Sequence, residues 1–244
     1  MTLQEHLSEL RSRFIYITLF FIISLVICFN YSLEIYNFLL RPFIAITQNP
    51  EQYRMIFTSP GEAFFSYLKL SLIATIFIST PFFLTQIYLF IAPALYQKEK
   101  KYFIAIFISS PFLFFGGAII AFCYILPLAF EFFLNFENKN ISHNSAMALD
   151  LEIKISEYLN FCKNIIFGFG VACQLPIILI LLYKMNIISL ESLTNKRKYW
   201  ILSFFLIAAI LTPPDIISQI IMAIIMIILF ELIILLLRVL GKKY

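Results

Sequence analysis

From Leu70 to Gln97, and again from Tyr102 to Phe130, the chain runs without a single Asp, Glu, Lys or Arg. A helix crosses a hydrocarbon layer about 30 Å thick with about 20 apolar residues, and its backbone polar groups are bonded within the segment because lipid offers no partner. Phe14–Leu33, Asn164–Tyr183, Tyr199–Pro214 and Ile216–Phe230 are charge-free as well, and the last continues past Glu231 to Leu237. The runs predict six spans, at about 14–33, 66–92, 102–130, 160–183, 199–212 and 215–237, in one polytopic domain over 1–244. Composition agrees: 61% of residues are hydrophobic and 13% charged, where a soluble domain carries about 25% charged. A soluble globule, a disordered chain, a disulfide scaffold, a coiled coil and a nucleic-acid binder are excluded.

The last two runs differ from the others. Tyr199–Leu211 is too short to cross at full thickness, and Thr212-Pro213-Pro214-Asp215 follows at once. Proline cannot continue a helix, and Asp215 is placed to cap a new one. A short hairpin of fifth and sixth spans is expected, favouring thin lipid around it. Six spans put both ends on one side. Arg11, Arg13, Lys98, Lys100, Lys101, Lys184, Lys196, Arg197, Lys198, Arg238, Lys242 and Lys243 fall on that side, against Arg41, Arg54, Lys139, Lys154 and Lys163 on the other. This bias predicts that both ends are cytoplasmic. The connections after spans one and three are long, and residues 131–163 are polar enough for a cap with some helix.

No enzyme is written into the chain. It has no G-x-S-x-G, H-E-x-x-H or phosphate-loop motif. His6 and His143 stand far apart, so no metal site and no cofactor is expected. Cys28, Cys123, Cys162 and Cys173 lie in or beside apolar runs and read as small hydrophobes. An acidic, amphipathic start argues against a cleavable signal peptide.

A few polar residues need an explanation. Leu3, Leu7, Leu10 and Phe14 form a stripe at helical spacing, with Glu5, Glu9, Arg11 and Arg13 on the other faces. Glu9 and Arg13 can pair at i, i+4. Glu99 stands among Lys98, Lys100 and Lys101. As spacing alone has it, these are a solvated interfacial helix and a charge moderating its neighbours. Two separated cytoplasmic carboxylates also suit a ligand with adjacent arginines. Glu231 sits inside the last span, where a carboxylate is costly unless paired, protonated or beside water. With Gln174 and Gln219 it reads either as interhelical glue or as a docking groove or ion path, and the residues leave both open.

Five blocks together resemble the TatC family, the multi-spanning subunit of the Sec-independent twin-arginine protein translocase: HLSELRSR at 6–13, FTSPGEAFFSYLKLS at 57–71, FIAPALYQKEKK at 90–101, FGFGVACQLP at 167–176 and LTPPDIISQ at 211–219. The resemblance implies an all-α integral membrane protein of six helices in a concave, glove-like bundle. It implies export of folded proteins bearing twin-arginine signal peptides, driven by the proton-motive force, with TatA- and TatB-type single-span partners and a homo-oligomeric complex. Glu9 and Glu99 then fall at the acidic positions for the signal arginines, with Leu10, Arg11, Arg13 and Phe90 in the same surface. Pro42 matches a proline of the first exoplasmic loop; Thr212, Asp215, Gln219 and Glu231 match polar positions of the last two spans, where partner helices dock. Gln174 departs from the family, many members having Glu there, and cannot relay a proton. The expected membrane is a bacterial inner membrane, with mitochondrial inner and thylakoid membranes as alternatives. The competing class is a small ion-coupled transporter or respiratory-chain membrane subunit using Glu231 and Asp215. It offers too few facing intramembrane charges for a midplane site.

Overall fold

The computed structural model describes residues 3–47, 55–91, 97–141, 153–185, 187–212 and 215–241. Its elements are helices α1 (Leu3–Asn30), α2 (Ser32–Ile46), α3 (Pro60–Ile91), α4 (Gln97–Ile120), α5 (Leu126–Ile141), α6 (Ile155–Ala172), α7 (Leu175–Lys184), α8 (Leu190–Asn195), α9 (Arg197–Leu211) and α10 (Ile216–Gly241), with two-residue strands β1 (Met55–Ile56) and β2 (Ile153–Lys154). Two compact units form: Met1–Leu40 with Phe57–Pro111, and Arg41–Ile56 with Phe112–Tyr244.

The first unit is built on α1 and α3, which run antiparallel. Phe20 stacks on Phe82 with centroids 4.3 Å apart, and Phe29 meets Phe64 edge-on. Between them Ser71 Oγ lies 3.3 Å from the Cys28 carbonyl. Small hydroxyl residues let the two backbones approach where lipid gives no hydrophobic drive to pack. Proline suits the first turn of α3, where its missing N–H has no helical partner. The Glu62 carboxylate accepts from the Thr58 amide and hydroxyl, both at 2.6 Å, and closes that end. The first long connection is not only loop: its first half is α2, into which Pro42 is built. Arg41 and Pro42 hid that helix in the sequence. On α2, burial and the neighbouring Tyr67 push the Tyr36 phenol above its usual pKa.

In the second unit, Phe43 of α2 packs edge-on against Phe130 and Tyr158, which stack on each other at 5.3 Å. Nearby, β1 and β2 pair in parallel, Met55 with Ile153 and Ile56 with Lys154. The third expected span continues through a π-helical turn at Ala121–Ile125, where the Leu126 amide bonds to the Ala121 carbonyl five residues back. The fourth is broken. Its first half, α6, ends at Ala172; Cys173 and Gln174 make a turn, and α7 follows. Pro176 has no amide for the Ala172 carbonyl, which is why one run became two helices.

Close helix approach depends on Gly117. A Cβ there would stand 2.6 Å from both Cys173 Sγ and the Phe169 carbonyl oxygen. The last pair, α9 and α10, is an antiparallel hairpin joined by Trp200, Phe204 and Phe230. The inner face of α10 is a stripe of Met222, Met226, Phe230, Ile233 and Leu237, all buried, at helical spacing.

Among the described residues, five segments are long and apolar enough to cross a membrane: Ser8–Asn30, Pro60–Ile87, Ile108–Asn135, Ile155–Lys184 and Ile216–Arg238. The chain is an all-α membrane protein. With 15 residues, α9 reaches about 22 Å, so the fifth expected span is short. The sixth is not: α10 has 26 residues and runs straight through Glu231. One carboxylate that has found a partner does not end a helix.

Candidate functional site

Polar side chains gather at the N-terminal end of α1. Because α1 and α3 are antiparallel, that end faces the C-terminal end of α3. The i, i+4 spacing puts Glu9 and Arg13 on one face of α1, as the sequence predicts. Arg13 Nε donates to Glu9 Oε1 at 3.1 Å, and Arg13 Nη2 donates to the same oxygen. The third arm, Nη1, reaches Gln86 Oε1 of α3 at 3.4 Å. Both charged side chains are mostly shielded, at 19% and 23% exposure. Glu9 Oε2 accepts nothing from the described residues. Gln86 was not among the sequence candidates; its signal is that an amide interrupts the apolar run 82–95.

The other residues of this set are spread around the cluster. Leu10 and Arg11 are exposed on α1, and Phe90 is half-buried near the end of α3. Glu99 lies in the first turn of α4, in the same compact unit, but its side chain is outside the described residues. Six chain steps separate Ile91 from Gln97, so the two helix ends lie within about 22 Å. Pro42 is buried inside α2, where it serves packing.

The polar residues of the last two helices fall at opposite ends of the hairpin. Thr212 Oγ1 donates to the Ala208 carbonyl at 2.8 Å and closes α9. Pro213 and Pro214 lie outside the described residues. Asp215 caps α10 as the sequence predicts: its Oδ2 accepts from the Ser218 amide at 2.7 Å. Its Oδ1 and the Ser218 hydroxyl are buried without a described partner. Gln219, half-buried, sits one turn on. Glu231 is 16 residues further along the same helix, about 24 Å from Asp215, and pairs with Arg197 at 3.3 Å. Arg197 was the unforeseen partner; it opens α9, opposite Glu231 across the hairpin. Asp215 and Glu231 therefore do not make one ion site. Gln174 occupies the α6–α7 break. Among the described residues no group of His, Cys, Asp and Glu could hold a metal ion.

The described residues make a polytopic helical membrane protein with a carboxylate oriented by an arginine at one helix end. Residues 5–224 match the family Sec-independent protein translocase protein (TatC). The Sec-independent protein translocase protein TatC of Rickettsia prowazekii is 42% identical over 216 residues, 88% of this chain and 84% of the relative. That of Haemophilus influenzae is 39% identical over 96% of this chain and 87% of its own. The crystal structure of the twin arginine translocase receptor TatC in DDM superposes with a TM-score of 0.75 at 34% identity, covering 95% of this chain and 98% of that one. The chain belongs to the TatC family, and is a membrane subunit of Sec-independent protein export.

Proposed function

We propose that this chain is the receptor that reads paired arginines on export signals, and that Glu9 and Glu99 are the groups that read them. What supports the reading is the geometry of Glu9. Arg13 fixes its carboxylate through one oxygen while the other accepts nothing from the described residues, so an incoming guanidinium meets an oriented acceptor rather than a free rotor. The Glu9–Arg13 pair carries no net charge. A second carboxylate is then needed to balance a doubly cationic signal, and Glu99, on the next cytoplasmic helix, is the candidate. Arginine suits such sites because its planar donors match a carboxylate edge.

In this reading the chain crosses the inner membrane of a bacterium six times with both ends cytoplasmic. The signal's apolar segment lies between helices beside Leu10 and Phe90. Single-span partners of TatA and TatB type pack along α9 and α10 near Thr212, Asp215, Gln219 and Glu231, with Gln174 as a further hydrogen-bonding contact. Copies of the chain associate in the complex, and the proton-motive force drives passage. Site-specific crosslinking of a twin-arginine precursor to the full chain tests the recognition step. Glu9→Arg and Glu99→Arg should each abolish the adduct. Unchanged crosslinking in both refutes it.

A further inference from the structure

A groove of about 600 Å³ lies where α8 meets α9, lined by Ile188, Ser192, Lys196, Tyr199, Trp200 and Ser203. Nothing in the receptor reading uses it. One basic residue lines it, Lys196 at the N-cap of α9, while Arg197 is turned to Glu231 and Lys198 stands outside the lining. Lys196 and Lys198 have no carboxylate partner among the described residues, and Lys198 Nζ lies 5.2 Å from the Tyr199 ring centroid. Glu191 is exposed on α8 but does not line the groove. The Trp200 ring is fixed against Phe204 and Phe230. Its indole N–H has no described acceptor.

Two features say which anion fits. Trp and Tyr beside lysines mark the boundary between lipid and water. Below the groove, Tyr199, Leu202, Leu206 and Ile210 are all exposed on α9 at helical spacing, Ile210 by 82%. From Tyr199 to Ile210 is about 16 Å, the depth of one leaflet of a hydrocarbon layer about 30 Å thick. A dissolved anion has no use for such a track; an acyl chain does. We propose that this groove is a binding site for one anionic phospholipid, with its phosphodiester at Lys196 and a chain along α9.

Trp200 is the single tryptophan, so its fluorescence reads the groove directly. The full chain is reconstituted in phosphatidylcholine vesicles. Acyl-brominated phosphatidylglycerol or acyl-brominated phosphatidylcholine is then added at equal mole fraction. The phosphatidylglycerol should quench Trp200 more strongly. Since a lysine at an anionic headgroup is worth on the order of fivefold in binding, Lys196→Gln should lower that preference about fivefold, and Lys196→Arg should keep it. Equal quenching by the two lipids, or no loss in Lys196→Gln, overturns the proposal. So does displacement of the brominated phosphatidylglycerol by dissolved inorganic phosphate, which would make the site one for a soluble anion.

Discussion

Gly116 and Gly117 are neighbours on α4, and alanine at each should have opposite effects. A Cβ on Gly116 meets nothing within 4 Å. Gly116→Ala gains helix propensity, about 1 kcal/mol, and should leave the protein as stable or more so. A Cβ on Gly117 meets Cys173 Sγ and the Phe169 carbonyl oxygen at 2.6 Å and Cys173 Cβ at 2.9 Å. Ordinary contact begins near 3.4 Å, so α4 and α6 must part by about 0.8 Å. The carbonyl belongs to the backbone and cannot rotate aside. Overpacking of this kind costs about 1–3 kcal/mol. The propensity gain is common to both variants and cancels when they are compared. Gly117→Ala should therefore melt about 2–12 °C below Gly116→Ala. Thermal unfolding in detergent, followed by loss of the monodisperse chromatographic peak, reads the difference. Equal melting temperatures would refute the close α4–α6 packing.

Other contacts give smaller expected effects. Asp215→Ala removes the acceptor for the Ser218 amide and should destabilise by about 0.5–2 kcal/mol in the same assay, while Asp215→Asn keeps an oxygen there and loses much less. Arg197 and Glu231 are each about two-fifths exposed, so their coupling should be weak. A double-mutant cycle with Arg197→Gln and Glu231→Gln should return about 0.2–1 kcal/mol. A coupling of several kcal/mol would mean that the pair is far drier than its exposure indicates.

The sequence made these crossings legible because lipid imposes one rule, the long apolar helix, and Leu70–Ile91 and Tyr102–Phe130 obey it. It was less informative where backbone geometry turns on one residue. Pro176 split the fourth run into α6 and α7, although the run reads as continuous by hydropathy. Arg41 and Pro42 made α2 look like loop. Partnerships divide the same way. Glu9–Arg13 follows from spacing along one helix, and the Asp215 cap from its place after two prolines. Gln86 and Arg197 reach their partners only through antiparallel packing, which no local pattern encodes.

Affinity of the purified full chain for a signal peptide, with arginine or lysine pairs at the same two positions, tests the receptor reading most directly. Charge is equal in the two peptides, so only the planar donor geometry differs. Losing one charge-assisted contact of about 1.5–3 kcal/mol should weaken the lysine peptide by about tenfold or more, and Glu9→Gln should narrow the gap. Equal affinity for the two peptides would contradict recognition through Glu9 and Glu99.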